Sequence, residues 1–141
     1  ALTQLPHELA AGISGSAMSP LMVMVAILIF YLIGGCVMDS LSMILLTMPI
    51  FWPILAGMDF GMDTEDVKIW FGIVALIVVE TGLITPPVGM NVFVINSMAK
   101  DIPIAQTFKG VAPFILSDIV RIFLLVSFPS LTLVLVRLFG Y

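Results

Sequence analysis

The sequence predicts an all-α integral membrane protein, and its composition is the first reason. Hydrophobic residues make up 61% of the 141 residues, whereas charged residues make up only 10%. A soluble domain carries about a quarter charged residues, because it must present groups that water solvates. The few charges here also cluster, which leaves long apolar runs, and glycines and prolines interrupt those runs at two points. We therefore expect a set of helices in a lipid bilayer.

The N-terminal part, residues 1–18, predicts an interfacial linker or short helix. It is mildly amphipathic and rich in small residues. After Ser19 and Pro20 the chain turns strongly apolar, and proline suits the first turn of a helix, where its missing N–H costs nothing. A helix is therefore expected from this point up to the adjacent glycines Gly34 and Gly35.

Residues 19–56 predict a helical hairpin. Two apolar runs are separated by residues 34–40, where two glycines and an Asp-Ser pair indicate a break. The second run contains Pro49 and Pro53 and is short for a crossing, which takes about 20 apolar residues. Two complete crossings are one interpretation. The short second arm and the polar tip favour the other, a re-entrant hairpin with Asp39 at its tip.

Residues 57–68 predict a water-exposed acidic loop, and residues 69–98 predict a broken transmembrane helix. An α-helix cannot run intact through residues 85–89, because each of the two prolines removes a donor and clashes with the preceding turn. Unwound backbone inside a membrane persists only when it is buried in protein or lines a cavity. In the same unit, Trp70 is expected at the membrane interface. The Glu80 carboxyl is expected to be protonated or bonded to backbone groups that the break frees.

The remaining residues predict a polar connector over 99–110 and a C-terminal transmembrane helix over 111–141. Asp118 and Arg121 lie in that helix. Because they are three positions apart, they share one face and can form an ion pair. Mutual neutralisation is the simpler interpretation of two charges in an apolar helix, and a role in transport is the alternative.

The two breaks carry small polar side chains, which suggests a binding site. Asp39 lies at the first break, and Thr85 and Asn91 lie at the second. Interrupted helices expose backbone carbonyls that bind sodium, and their N-termini attract anionic groups. The alternative is that the glycines only allow close helix packing and the prolines only bend a helix. Two such breaks in so short a chain favour a site.

Four motifs together are specific enough to indicate a family. The longest covers residues 80–95 and contains Thr-Pro-Pro-Val-Gly. The others are Gly35 followed four positions later by Asp39, residues 46–53, and residues 108–114. In this order and spacing they resemble the large membrane subunit of TRAP transporters, the tripartite ATP-independent periplasmic transporters. The resemblance covers essentially the whole chain and corresponds to the C-terminal third of that subunit.

The resemblance implies an elevator-type, sodium-coupled importer of an organic acid such as a C4-dicarboxylate or sialic acid. This chain would be one half of an inverted repeat. The implied partners are a small membrane subunit, a periplasmic substrate-binding protein and the lipid bilayer. The implied location is the bacterial inner membrane, with several crossings. Sodium is the implied coupling ion, with no other metal, no cofactor and no catalytic residue. By position, the implied sodium-binding residues are Gly35, Asp39, Thr85, Pro86 and Gly89, and the implied substrate-binding residues are Thr85 and Asn91.

Other functions fit the residues less well. The five basic residues never cluster, which argues against binding of nucleic acid. An intramembrane aspartyl protease could use Asp39 and Asp118, but Arg121 shares the helix face of Asp118. A structural or assembly subunit would need no broken helix at mid-membrane. Other ion-coupled organic-anion transporters share the plan of a hairpin and a broken helix, but not the motif order. We also expect the chain to be part of a longer protein.

Overall fold

The structure, a computed structural model, describes residues 8, 11–13 and 15–140. The described residues contain helices and no strands, which confirms the predicted all-α fold class. Most of the predicted linker 1–18 lies outside the described residues, and residues 11–13 are helical. The six longer helices are α1 (Pro20–Gly35), α2 (Ser40–Ala56), α3 (Thr64–Gly82), α4 (Met90–Met98), α5 (Ile104–Ser127) and α6 (Ser130–Leu138).

Helix α3 lies at the centre of the fold and contacts α1, α2, α5 and α6. Its apolar side chains form the core together with those of α1 and α2. Phe71, Val74 and Val79 of α3 are fully buried, as are Met24 and Tyr31 of α1. Between helices in lipid there is little hydrophobic driving force, so close packing has to supply the association. The position of α3 therefore determines where the other helices lie.

Helices α1 and α2 form the predicted hairpin, with residues 36–39 as the hairpin tip. Tyr31 on the first arm makes a 2.7 Å hydrogen bond with the Thr47 hydroxyl of the second. The Phe51 ring packs edge-on against Tyr31, with 5.5 Å between ring centroids. The second arm continues as helix through both Pro49 and Pro53. At 1.5 Å per residue, arms of 16 and 17 residues are about 24–26 Å long, less than the roughly 30 Å of a bilayer core.

A helix that is interrupted at the predicted residues is present, with bounds that differ from those predicted, and its crossing of the membrane stays a prediction. Helix α3 begins at Thr64, so the last part of the predicted acidic loop 57–68 is helical. Glu65 and Asp66 lie in its first turn, where the helix dipole favours negative charge. The helix ends at Gly82, and residues 83–89 form the helix break before α4. Glu80 is exposed, and no hydrogen bond from its carboxyl to the backbone of the break is found among the described residues.

The chain forms two helices where a single helix was predicted over 111–141, and the first of them starts earlier than predicted. Helix α5 begins at Ile104, which shortens the predicted connector 99–110 to five residues. It ends at Ser127, since Pro129 has no N–H to donate to the Leu125 carbonyl one turn before. The Trp70 indole N–H of α3 donates to that carbonyl instead, at 2.8 Å. Trp70 is therefore part of the core and only 2% exposed, and its position at the membrane interface stays a prediction.

Helix α6 folds back against the N-terminal part of α3. Leu133 is 1% exposed in this contact. Arg137 donates to Asp66 at 2.8 Å, although the arginine side chain is 59% exposed. An ion pair this exposed contributes less than about 1 kcal/mol to stability. The apolar contact therefore holds α6 in place, and the ion pair adds little.

Among the described residues, one helix is both long and apolar enough to cross a membrane, namely α5. Its 24 residues span about 36 Å, which exceeds the hydrocarbon core of a bilayer. No residue of α5 is buried. Helices α1 and α2 are apolar but shorter. These lengths and the composition fit an integral membrane protein.

Candidate functional site

Two glycines bring the hairpin and the broken helix into direct contact. A Cβ placed on Gly35 would lie 2.6 Å from the Val79 carbonyl oxygen, and one placed on Gly82 would lie 2.6 Å from the Leu32 carbonyl oxygen. Real Cβ atoms essentially never come that close to another atom. Small residues permit such backbone contact between membrane helices. We call the contact of Gly35 with Gly82 the glycine seam.

The glycine seam places the two predicted breaks next to each other. The hairpin tip begins one residue after Gly35, and the helix break begins one residue after Gly82. Consecutive Cα atoms are 3.8 Å apart, so both irregular segments start within a few ångströms of the seam. The prediction from sequence that these segments share one region therefore agrees with the fold.

The helix break is a tight loop between α3 and α4. Gly89 is buried and has a φ of +54°, a left-handed conformation that only glycine adopts readily. A Cβ there would meet the Thr85 carbonyl oxygen at 3.2 Å and Phe108 of α5 at 3.1 Å. The Asn91 backbone N–H donates back to the Leu83 carbonyl at 3.0 Å. These contacts close the break into a tight loop at the start of α4.

Thr85 is the polar side chain nearest the centre of this loop. It is half-buried, and its hydroxyl donates to the Thr81 carbonyl at 2.6 Å. Its backbone N–H donates to the Gly82 carbonyl at 3.0 Å. The Thr85 carbonyl, in contrast, accepts no hydrogen bond from a described backbone N–H. The same is true of the carbonyls of Pro86, Pro87 and Val88. Four consecutive backbone oxygens are thus available in the break.

Asp39 occupies a simpler position at the hairpin tip. Its carboxylate accepts a 3.0 Å hydrogen bond from the Ser42 backbone N–H, which makes it the N-cap of α2. Such a cap satisfies one of the free donors at the start of a helix. The side chain is exposed, and its hydrogen bond is local to the tip. Capping explains why an acidic residue stands here, whatever else the carboxylate binds.

The structure connects three of the six predicted site residues through the glycine seam and the break, and the six differ in exposure. Gly35 and Gly89 are buried, and Thr85 is half-buried. Pro86 is exposed and joined to the next proline by a cis peptide bond. Asn91 is exposed on the first turn of α4. Gly35, Thr85 and Gly89 are connected through contacts, whereas the Asp39 and Asn91 side chains point to the open surface around them.

Sequence reasoning missed two residues of this region, Gly82 and Thr81. Gly82 lies in the longest motif, and a glycine inside an apolar helix can indicate a close helix contact. Its partner Gly35 is 47 positions away, so the pairing required the fold. Thr81 is 1% exposed, and its hydroxyl lies 3.3 Å from an oxygen of Asp118 on α5. The predicted pairing of Asp118 with Arg121 is confirmed at 2.7 Å.

The arrangement offers oxygen atoms and N–H groups rather than a group that could break bonds. No cluster of histidine, cysteine, aspartate or glutamate that could hold a metal occurs in the described part of the chain. The available ligands are the carbonyls of the break, the Thr85 hydroxyl and the Asp39 carboxylate. Oxygen-only ligands suit a hard cation, and the N-terminus of α4 suits an anionic group.

A comparison with protein families shows which family the chain belongs to. The model for the DctM component of tripartite ATP-independent periplasmic transporters matches residues 1–131. The chain belongs to the DctM family. This family consists of membrane subunits of transporters and not of enzymes. The resemblance inferred from the four motifs is thereby confirmed.

Relatives of this DctM-family chain include proteins named for different substrates. A TRAP transporter large permease protein of Haemophilus influenzae is 35% identical over 133 residues, which are 94% of the chain and 31% of the relative. The C4-dicarboxylate TRAP transporter large permease protein DctM of Pseudomonas aeruginosa is 33% identical, covering 97% of the chain and 30% of the relative. The sialic acid TRAP transporter large permease protein SiaM of Vibrio cholerae is 32% identical, covering 98% and 31%.

The chain spans about a third of the length of the curated relatives it matches. No solved structure matches it significantly.

Proposed function

We propose that the chain forms part of the large membrane subunit of a TRAP transporter that imports an organic acid together with sodium. The single observation that carries this proposal is the glycine seam, because it joins two interruptions of helical backbone in one place. Interrupted helices that meet are the recurring basis of ion and substrate sites in secondary transporters. A protein with only a structural role would not need them.

Sodium is proposed to bind between the hairpin tip and the helix break. The break supplies the carbonyls of residues 85–88, which receive no hydrogen bond from described backbone donors. Gly35 and Gly89 contribute by keeping the backbone close, since a side chain at either would meet backbone oxygen within 3.2 Å. The Thr85 hydroxyl and the Asp39 carboxylate complete the proposed set, in which Pro86 takes part through its carbonyl. Such a set of oxygens is what a hard cation prefers.

The substrate is proposed to be a small carboxylate. Helix α4 begins at Met90, directly after the break, and its free N–H groups attract negative charge. Asn91 is exposed on this first turn, and Thr85 lies in the preceding loop. The relatives named for C4-dicarboxylate and for sialic acid support a carboxylate as the shared feature. Selection between such acids is left to the periplasmic binding protein.

The membrane arrangement is proposed to follow the TRAP plan. Helix α5 crosses the bacterial inner membrane, and the hairpin of α1 and α2 enters it and returns, because its arms are shorter than the bilayer core. Together with the rest of the subunit, these helices give a protein that crosses the membrane several times. Alternating access by an elevator movement, with a small membrane subunit and a periplasmic binding protein as partners, belongs to the same proposal and rests on family membership.

The proposal is tested by uptake into proteoliposomes that contain the complete transporter and its binding protein. Radiolabelled succinate and N-acetylneuraminic acid serve as the two probes. We expect uptake of at least one of them when an inward sodium gradient is present. Replacing external sodium by choline at equal ionic strength, or dissipating the gradient with a sodium ionophore, should abolish that uptake. Uptake of the same probe at an equal rate in choline would refute sodium coupling, and no uptake of either probe would refute this substrate class.

A further inference from the structure

Among the described residues, two side chains of α3 form hydrogen bonds with α5. Near the start of α3, the Trp70 indole donates to the Leu125 carbonyl at 2.8 Å. Near its end, the Thr81 hydroxyl lies 3.3 Å from Asp118 Oδ2. Because the order of the pairs is reversed between the helices, α3 and α5 run antiparallel and these bonds lie at opposite ends of their contact. Only the Thr81 bond is next to the helix break.

Thr81 is an unusual residue in this position. It is a buried polar residue, 1% exposed, and its hydroxyl already has the Ile77 carbonyl within its own helix at 2.8 Å. The hydroxyl has one proton, so its contact with Asp118 at 3.3 Å shares that proton with the shorter bond to Ile77, and the Asp118 carboxylate is not needed to satisfy the hydroxyl. The second carboxylate oxygen, Oδ1, is 2.7 Å from Arg121 Nη2, which orients the carboxylate. Charged groups inside a membrane-spanning helix are costly, so their retention here suggests a role.

Thr81 also supports the break directly. Its carbonyl accepts the Thr85 hydroxyl at 2.6 Å and the Ile84 backbone N–H at 3.2 Å. A continuous chain of contacts therefore runs from Arg121 through Asp118 and Thr81 to Thr85. The next residue, Gly82, is held against α1 by the glycine seam. The last turn of the helix is thus held from two directions.

We propose that Thr81, Asp118 and Arg121 act as positioning residues that orient Thr85 for sodium binding. They do not touch the ion themselves. The ion pair fixes the carboxylate, the carboxylate holds Thr81, and the Thr81 carbonyl sets the direction of the Thr85 hydroxyl. This inference rests on the proposed function, because Thr85 is a proposed sodium ligand.

The test measures sodium affinity by thermal unfolding of the purified complete transporter. Sodium chloride replaces choline chloride at constant ionic strength, and a ligand that binds only the folded state raises the unfolding temperature. Thr81→Val removes the hydroxyl but keeps the shape. We expect the half-saturating sodium concentration to rise about threefold to tenfold, the size expected for loss of coupling through a contact network. Thr81→Ser keeps the hydroxyl and should match the wild type.

Asp118→Ala removes the carboxylate that Thr81 and Arg121 both contact, so it examines the same network from α5 and also serves if Thr81→Val does not fold. It should raise the half-saturating sodium concentration as well. Combining it with Thr81→Val should give less than the product of the two single effects, because both remove one shared interaction. If the double variant raised the half-saturating sodium concentration by the full product of the two single effects, the proposed network would be wrong.

Trp70→Phe is the matched control, because it removes the other hydrogen bond between α3 and α5. It should lower the unfolding temperature in choline but leave the half-saturating sodium concentration unchanged. If Thr81→Val binds sodium like the wild type, or if Trp70→Phe weakens sodium binding equally, the inference is overturned while the proposed function stands. If sodium does not stabilise the wild type, the proposed sodium site fails and this inference fails with it.

Discussion

The hairpin tip and the helix break lie side by side at the glycine seam, but different contacts hold them. At the tip, Asp39 is exposed and is held by a local hydrogen bond to Ser42 three residues later. In the break, Gly89 is buried between its own loop and Phe108 of α5. Thr85 is held through Thr81, which in turn contacts α5. Local capping thus determines the tip, whereas tertiary contacts determine the break.

This difference has a consequence for how the two segments respond to change. A segment held by a local cap can move as a unit when its neighbours move. A segment held by several helices cannot change without disturbing them, because packed interiors adjust little. We therefore expect substitutions at the seam to act on both segments, substitutions in the break to act strongly, and a conservative substitution at the tip to act on ion binding alone.

The largest effect is expected at the seam. In Gly82→Ala, the new methyl group would lie within 2.9 Å of backbone atoms of Leu32 and Gly35, which cannot move aside as a flexible side chain can. Overpacking of this kind typically costs about 1–3 kcal/mol. The change should separate the tip from the break, so we expect loss of sodium-dependent uptake together with a lower unfolding temperature of the purified transporter.

Gly72→Ala is the control for this prediction, because Gly72 lies in the same helix with nothing within 4 Å of the added Cβ. Replacing glycine by alanine inside a helix stabilises it by roughly 0.5–1 kcal/mol. Uptake by Gly72→Ala should therefore stay at the wild-type rate. Equal uptake by the two variants would show that transport does not require the close contact of Gly35 and Gly82. The seam would then not be what joins the hairpin tip to the helix break in function.

A smaller but still strong effect is expected inside the break. Gly89→Leu places a side chain on a residue with a φ of +54° and against the Thr85 carbonyl, a proposed sodium ligand. The left-handed conformation alone costs roughly 1–2 kcal/mol for a residue with a Cβ. We expect uptake to fall to background while the protein still inserts into the membrane, as measured by membrane fractionation and proteoliposome transport.

Gly61→Leu separates backbone strain from site geometry. Gly61 has a φ of +71° in the loop before α3, and nothing lies within 4 Å of an added Cβ. The free-energy cost of the left-handed backbone should be comparable in Gly61→Leu and Gly89→Leu. Uptake by Gly61→Leu should nevertheless remain near the wild-type rate. If the two variants transported equally, the break would not contribute its backbone to the site, whatever the stability of each protein.

Much of the fold could be predicted because its signals are local. The Pro-Pro and glycine of residues 85–89 exclude a continuous helix, and the Gly-Gly and Asp-Ser pairs indicate the hairpin tip. Pro129 is also a local signal for the end of α5, which the prediction of one helix overlooked, but the Trp70 indole that takes up the Leu125 carbonyl left free by Pro129 could not be predicted. That hydrogen bond joins residues 55 positions apart. The burial of Trp70, predicted to be interfacial, follows from the same distant contact.

The location of the candidate site could be predicted from the sequence, but the contacts that position its residues could not. Motif positions indicated Thr85 and Gly89, since these residues have special backbone or oxygen chemistry. The contribution of Gly82 depends on which backbone it contacts, and the contribution of Thr81 depends on a carboxylate 37 positions away. A single sequence contains no signal that pairs such residues. Local chemistry could therefore be inferred from the sequence, whereas the contacts that position it required the fold.

The smallest effect is expected for Asp39→Asn, which examines the tip alone. Asparagine is as good an N-cap as aspartate, so the unfolding temperature in choline should not change. If the carboxylate also binds sodium, loss of its charge should raise the half-saturating sodium concentration about tenfold, equivalent to about 1.4 kcal/mol, and higher sodium should restore uptake. Ser19→Ala is the control: it removes the cap of α1, where Ser19 accepts from the Met22 N–H, and should leave sodium dependence unaltered. Overlapping sodium titrations of wild type and Asp39→Asn would reduce Asp39 to a helix cap and leave the ion to the carbonyls of the break.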